Sequence, residues 1–318
     1  MQRVVSFGPV SSAEVLADLE KRYHFRRFDQ PLADRESFLA ALATADGMIG
    51  STLPLDAALL DYAPALKVIA SVSAGVDNYP LGYLRDRGIC LTNTPDAVTE
   101  TTADTGFMLL MMAARRACEL GQLVRDGGWT CAIDASRFGL DVHGKTLGIV
   151  GLGRIGAAVA RRAHFGFGMP VLYSGNSAKP VYEAEFAARR VPLMQLLAEA
   201  DFVCVCVPLS ADTHHLFGRE QFAAMRADAV FVNIARGAVV DEAALVQALA
   251  EGQIRAAGLD VYEREPLPAG SPLLALPQVV ALPHIGSATV ETRALMARTA
   301  AAELAAVLEG RAPQHPVL

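Results

Sequence analysis

Thr146-Leu147-Gly148-Ile149-Val150 runs directly into Gly151-Leu152-Gly153-Arg154-Ile155-Gly156, and the stretch Ala157-Ala158-Val159-Ala160-Arg161-Arg162-Ala163 follows. An apolar strand, a glycine-rich turn and a helix in that order make the bend that a dinucleotide pyrophosphate needs. Gly151 permits the tight turn, and Gly153 lets the backbone approach the phosphates. Gly156 lets the helix pack close to the strand, and the helix N-terminus offers N–H groups and a positive dipole end. By itself the hexamer also suits an ordinary structural turn. The strand before it and the helix after it favour the dinucleotide.

The residues beyond the bend bear on which dinucleotide. A site that prefers NAD places Asp or Glu about 20 residues on, at the end of the second strand, against the ribose 2′-OH. Here that strand, Pro170-Val171-Leu172-Tyr173, continues as Ser174-Gly175-Asn176-Ser177-Ala178-Lys179, and no acid occurs from Ala157 to Tyr182. A carboxylate would repel a 2′-phosphate, whereas hydroxyls, an amide and a lysine accept one. NADP(H) is therefore expected over NAD(H), with Ser174, Asn176 and Lys179 as contacts. The alternative is a 2′-OH that meets only water or backbone. The loop lacks the arginine that commonly clamps the phosphate.

Working outward, the second half of the chain continues the same alternation. Strands are expected at Thr146–Val150, Val171–Tyr173, Phe202–Val207, Val230–Ile234, Ala257–Val261 and Val279–Leu282. Helices are expected at Leu193–Glu199, Arg219–Met225 and Glu242–Glu251, and these crossovers imply a doubly wound parallel sheet. The first hundred residues alternate too, with expected strands Arg3–Phe7, Gly47–Ile49, Val68–Val72 and Ile89–Leu91 and helices Ser12–Arg22 and Asp34–Ala43. One long helix is expected from Thr99 to Arg125, stopped by Asp126-Gly127-Gly128, and a last helix over Val290–Leu308. The expected architecture is α/β: two Rossmann-like doubly wound parallel-sheet domains. The dinucleotide domain, 99–286, is inserted into a discontinuous substrate domain, 1–98 with 287–318. Two chain crossings would make a hinge, with the substrate in the cleft at the strand ends.

Composition narrows the class. A chain of 318 residues, 52% hydrophobic, has room for two cores and is not disordered. A net charge of −6 without a basic cluster argues against a nucleic-acid partner. The most apolar stretch, Phe107 to Ala114, is too short for a bilayer, so no membrane partner is expected. Five cysteines lack metal spacing, so no metal is expected; Cys204 and Cys206 read as buried core thiols. With no signal peptide, these thiols suggest the cytoplasm.

Three polar residues follow strands of the second half: Arg236 after Phe231-Val232-Asn233-Ile234-Ala235, Glu265 after Gly258-Leu259-Asp260-Val261-Tyr262, and His284 after Val280-Ala281-Leu282-Pro283. The strand ends are the ligand edge of a parallel sheet. Reduction of a keto acid needs this set: a guanidinium for the carboxylate, an imidazole to protonate the alkoxide, and a carboxylate to orient the imidazole. Each residue alone fits a surface ion pair or a loop histidine; their joint placement favours catalysis. His214 and His215 read as residues flanking a loop, and Asp201 and Asp212 as solvated.

Four blocks, Gly151–Gly156, Asn233-Ile234-Ala235-Arg236-Gly237, Gly258 through Pro266, and Leu282-Pro283-His284-Ile285-Gly286-Ser287, resemble in order the signatures of the D-isomer-specific 2-hydroxyacid dehydrogenases. The resemblance spans essentially the whole chain. It is greatest to the glyoxylate/hydroxypyruvate reductase and 2-ketogluconate reductase branch, many of whose members carry arginine where Asn176 stands. The resemblance implies that Arg236 binds substrate, that His284 is the acid/base with Glu265 as partner, and that Asp260 tunes the pair. It implies a carboxylate-binding loop at Ser73, Ala74 and Gly75. Implied cofactor contacts, besides the glycines, Arg154 and Ile155, are Thr102, Val207, Pro208, Thr213, Ile234, Ala235, Arg236, Asp260, His284 and Gly286. Trp129, the single tryptophan, would reach across a homodimer to the neighbour's substrate, with core packing as its alternative. The implied partner is a small anionic 2-keto or 2-hydroxy acid. Rival functions on the same scaffold are a nicotinamide-sensing co-repressor and a formate- or phosphite-type dehydrogenase.

Overall fold

The computed structural model describes residues 1–51 and 53–318. The chain divides into two compact units, one of residues 1–98 with 287–318 and the other of residues 99–286. In the first, β1 (Arg3–Ser6), β2 (His24–Arg26), β3 (Gly47–Gly50), β4 (Val68–Ser71) and β5 (Cys90–Thr92) form a parallel sheet in the order β2-β1-β3-β4-β5. Ser12 and Asp34 cap the helices Ala13–Arg22 and Arg35–Leu42 by accepting from Val15 N and Ser37 N, satisfying N–H groups that a helix start leaves open. The helix Val290–Leu308 returns onto this sheet so closely that a Cβ on Gly47 would lie 2.8 Å from Leu304 Cδ1. The chain end then runs beside β5, where Val317 N donates to Leu91 O at 2.7 Å.

The second unit holds a seven-stranded parallel sheet: β6 (Leu147–Val150), β7 (Val171–Ser174), β8 (Arg189–Arg190), β9 (Phe202–Val205), β10 (Val230–Asn233), β11 (Ala256–Leu259) and β12 (Val279–Ala281), ordered β12-β11-β10-β9-β6-β7-β8. Strand order reverses between β6 and β9, and the glycine bend leaves β6 at that reversal, where this fold binds ligands. Each face of the sheet has its own core. Leu147 and Ile149 of β6 face one, with Val159 and Val232; Val150 faces the other, with Leu197 and Phe231. The helix Thr99–Ala114 lies close to the first face: a Cβ on Gly258 of β11 would come 2.9 Å from Leu109 Cβ.

Three expectations need correction. The sheets have five and seven strands, not four and six, because β2 and β8 are short, charged edge strands. The long helix is two, Thr99–Ala114 and Ala117–Arg125. At the break Arg116 has φ 54°, held by Nε and Nη2 bonds to Glu119 (2.8 and 2.6 Å) and an Nη1 bond to the Ser136 carbonyl. Asp201 is not merely solvated, since it accepts from Thr146 N at 2.9 Å at the entrance to β6. Among the described residues, no helix is long and apolar enough to cross a membrane, and no cluster of His, Cys, Asp or Glu is arranged to hold a metal ion.

Candidate active site

The glycine bend has the shape its sequence suggests. Gly151 has φ +95°, and a Cβ there would lie 2.8 Å from Val207 Cγ1 and 2.9 Å from Val207 N. Gly156 packs so tightly that a Cβ would sit 2.4 Å from Gly151 O, whereas a Cβ on Gly153 would meet nothing within 4 Å. The bend is thus closed on its protein side and open at Gly153. No side chain caps the helix Arg154–Phe167 that begins there. An open backbone bend leading into an uncapped helix N-terminus fits a dinucleotide pyrophosphate.

Further along the same sheet edge, Arg236 follows β10, Glu265 follows β11 and His284 follows β12. His284 Nδ1 and Glu265 Oε2 are 2.7 Å apart, leaving Nε2 on the far side of the ring. Burial by itself would raise the Glu265 carboxyl. The bond to His284, the N–H of Tyr262 at 3.0 Å and the charges of His284 and Arg236 outweigh it and hold that carboxyl below its ordinary value. Glu265 is therefore anionic at neutral pH beside the ring.

Backbone geometry at these positions is set by residues whose side chains touch the main chain. His284 has φ 53°, the left-handed region that a side chain disfavours. The Asp260 carboxylate, 1% exposed, accepts from Ile285 N at 2.7 Å and Gly286 N at 2.8 Å, and Thr102 Oγ1 donates to Gly286 O at 3.1 Å. Burial raises the Asp260 carboxyl, while the two amides and His284 pull it down. Asn233 Nδ2 donates to Arg236 O at 3.0 Å while its Oδ1 accepts from Ala235 N at 3.0 Å. Gly237 can carry no Cβ at all, because one would fall 1.8 Å from the carbonyl carbon of Tyr262. Tyr262 OH in turn donates to Leu282 O at 2.9 Å. Asn233, Gly237 and Tyr262 were not singled out in sequence; their only signal was membership of the quoted blocks.

The other expected residues are placed as follows. Ile234 and Ala235 are buried at the end of β10. Thr213 Oγ1 donates to Pro208 O at 2.6 Å and accepts from Ser210 N, so it shapes the loop after β9. Ser174 ends β7, and Asn176 and Lys179 lie in the turn after it; Lys179 N donates to Tyr173 OH at 2.9 Å. Trp129 is 62% exposed, which rules out packing in the core of its own chain. His215 is paired, its Nε2 2.6 Å from Glu263 Oε1.

In the first unit, the loop Ser73-Ala74-Gly75 follows β4. Ser73 O accepts from Thr94 N (2.9 Å), Ala74 O from Asn93 Nδ2 (2.8 Å) and Gly75 O from Ser73 Oγ (2.6 Å). Tyr79 OH donates to Ser71 Oγ at 2.8 Å, and Ser71 Oγ lies 2.8 Å from Ser73 Oγ. Burial pushes the Tyr79 phenol up to about 12, so it stays a donor. All three loop carbonyls are taken up by bonds within the protein.

Comparison with known proteins adds to this geometry. The profile described as "D-isomer specific 2-hydroxyacid dehydrogenase, NAD binding domain" matches residues 107–286. The chain is 52% identical over 89% of its length, and 87% of the relative's, to a protein of Escherichia fergusonii named glyoxylate/hydroxypyruvate reductase B. Among solved structures it resembles the TT0316 protein of Thermus thermophilus, with a TM-score of 0.89, 44% identity and all of both chains covered. It also resembles an NADPH-dependent glyoxylate/hydroxypyruvate reductase of Sinorhizobium meliloti in complex with NADP and malonate, with a TM-score of 0.89, 33% identity, and 99% and 96% of the two chains covered.

Proposed function

Since the chain belongs to the D-isomer specific 2-hydroxyacid dehydrogenase family, we propose that it reduces small 2-keto acids to D-2-hydroxy acids with NADP(H) in preference to NAD(H). Glyoxylate and hydroxypyruvate are the foremost substrates and 2-ketogluconate a further one. The observation that carries this reading is the Glu265–His284 pair at 2.7 Å, within reach of the charge of Arg236. The names of the relatives support the substrate class. The acid-free turn after β7 and the NADP in the Sinorhizobium relative support the cofactor.

A reduced nicotinamide supplies the hydride. The chain's own groups do the rest. The Arg236 guanidinium pairs with the substrate carboxylate and polarises the ketone, its planar fork matching both oxygens. His284 donates its Nε2 proton to the oxygen as negative charge develops there. Glu265 accepts the Nδ1–H and fixes the ring orientation. Asp260 holds the backbone after His284 so that the ring stays beside Glu265. In the first unit, the backbone N–H groups around Ala74 and Gly75 are suited to a carboxylate. A homodimer belongs to the same reading, supported by the exposed apolar side chains at Val124, Trp129 and Phe138.

The test is oxidation of NADPH and NADH with glyoxylate, hydroxypyruvate and 2-ketogluconate, in wild type and His284→Ala. Turnover of at least one acid is expected, falling by ~10²-fold or more in the variant, as for loss of a general acid. Wild-type protein that binds the nucleotide yet turns over no 2-keto acid would point to the sensing role instead. Near-normal turnover in His284→Ala would remove that residue from the chemistry.

A further inference from the structure

We infer that Arg190 recognises the 2′-phosphate of NADP(H), reaching from the neighbouring strand to the loop that carries Asn176. The inference rests on the cofactor reading above and names the residue that would decide it. The turn after β7 contains no arginine, yet one lies against it in space. β8 runs parallel to β7 with Leu172 opposite Arg189 and Tyr173 opposite Arg190, so both arginines stand near the carboxyl end of β7. That end is where the adenosine ribose falls in this fold.

Successive side chains of a strand point to opposite faces, and the two arginines accordingly have different fates. Arg189 is paired with Glu199. Arg190 has no carboxylate partner among the described residues. Its Nε and Nη2 donate to Gly175 O at 3.2 and 2.9 Å, which lays the guanidinium along Ser174-Gly175-Asn176. Nη1 makes no hydrogen bond among the described residues, and Arg190 is exposed.

The surroundings favour an anion. The nearby carboxylates are engaged: Glu183 accepts from Tyr173 OH and, at 3.3 Å, from Lys179 N, while Glu185 pairs with Arg161 at 2.8 Å. Ser174, Asn176, Ser177 and Lys179 supply further donors in the same turn. A planar guanidinium anchored at one end and open at the other suits a phosphate, which it can meet with two parallel N–H groups. A bracing role alone would serve the turn equally for either nucleotide, and that difference can be measured.

The experiment uses protein stripped of nucleotide. It is titrated with NADPH and NADH by nicotinamide fluorescence, and with adenosine 2′,5′-bisphosphate and ADP by calorimetry. Arg190→Gln is expected to weaken NADPH and the bisphosphate about 10- to 100-fold, the value of charge-assisted hydrogen bonds, with the loss confined to the 2′-phosphorylated ligands. Arg190→Lys should recover part of that loss. Asn176→Asp, which sets a carboxylate beside the guanidinium, should lower NADPH affinity relative to NADH and carries the test if Arg190→Gln does not fold. Wild type that prefers NADPH but is indifferent to both substitutions would overturn the role of Arg190 alone. Equal losses for NADPH and NADH in Arg190→Gln would reduce it to a brace. Wild type without preference for NADPH would overturn the cofactor reading itself, before any variant is made.

Discussion

His284 is held in a backbone conformation that its side chain disfavours, with φ 53°, and such a conformation persists only where neighbours over-determine it. Asp260, through two backbone N–H groups, and Thr102, through the Gly286 carbonyl, are those neighbours. Glu265 acts on the ring itself. Its lowered pKa means that it carries its charge at neutral pH, and it holds the ring through Nδ1. Glu265→Gln removes the charge and keeps the shape. With the bond to His284 Nδ1 no longer charge-assisted, kcat in keto-acid reduction should fall about 10-fold or more while NADPH affinity is kept. Unchanged kcat, with chemistry rate-limiting, would separate Glu265 from the proton transfer. The pairing of Glu265 with His284 is legible in sequence because both follow strands of one parallel sheet. The work of Asp260 on residues 285 and 286, and the bar to any Cβ at Gly237, are not legible, because both arise from backbone segments far apart in the chain.

At the scale of elements, regular pieces with strong periodicity or good caps were readable and short edges were not. Val290–Leu308 is a helix over the expected span, and Ser12 and Asp34 mark helix starts as their side chains suggest. β2 and β8 escaped because His24-Phe25-Arg26 and Arg189-Arg190 show no apolar run. Charged residues on an edge strand keep its open hydrogen-bonding side from pairing with other chains, so their composition follows from their position. The break at Arg116 escaped because the cause, Glu119 together with the Ser136 carbonyl, lies partly beyond the helix. Past the break, the helix Ala117–Arg125 buries no residue, and Val124, Trp129 and Phe138 stand exposed. A proposed homodimer formed through this segment would cover them. Light scattering should then give twice the chain mass, and Trp129→Ala with Phe138→Ala should shift it towards monomer at low concentration. A monomeric wild type would refute that assembly.

At the scale of the whole molecule, the last residues of the chain close the first unit, and they do so through a titrating group. His315 Nδ1 lies 2.9 Å from Glu303 Oε1, and Nε2 lies 3.3 Å from Asp96 Oδ2. Glu303, on the helix Val290–Leu308, is 3% exposed and also accepts from Gln314 N at 2.8 Å. The bond to Glu303 raises the His315 pKa, and Asp96 adds to it against the opposing effect of burial. Folding therefore favours the charged ring. That contribution is complete below the unfolded value of about 6.5 and is lost as pH rises through the higher folded value. His315→Gln should lower the urea midpoint clearly at pH ~5.5 and much less at pH ~9, on either side of that window. An equal cost at both would show that shape, not charge, accounts for the contact.

The order of the longer strands, the glycine bend and the strand-end positions of Arg236, Glu265 and His284 were determined by sequence alone. Each depends on local periodicity, on glycine geometry or on distance along the chain. Tertiary structure alone decided the left-handed turn at His284, the break at Arg116, the charged edge strands and the approach of Arg190 to Gly175. All of these depend on which distant segments become neighbours. Packing many residues into one sheet selects those neighbours, and no short stretch of the chain encodes them.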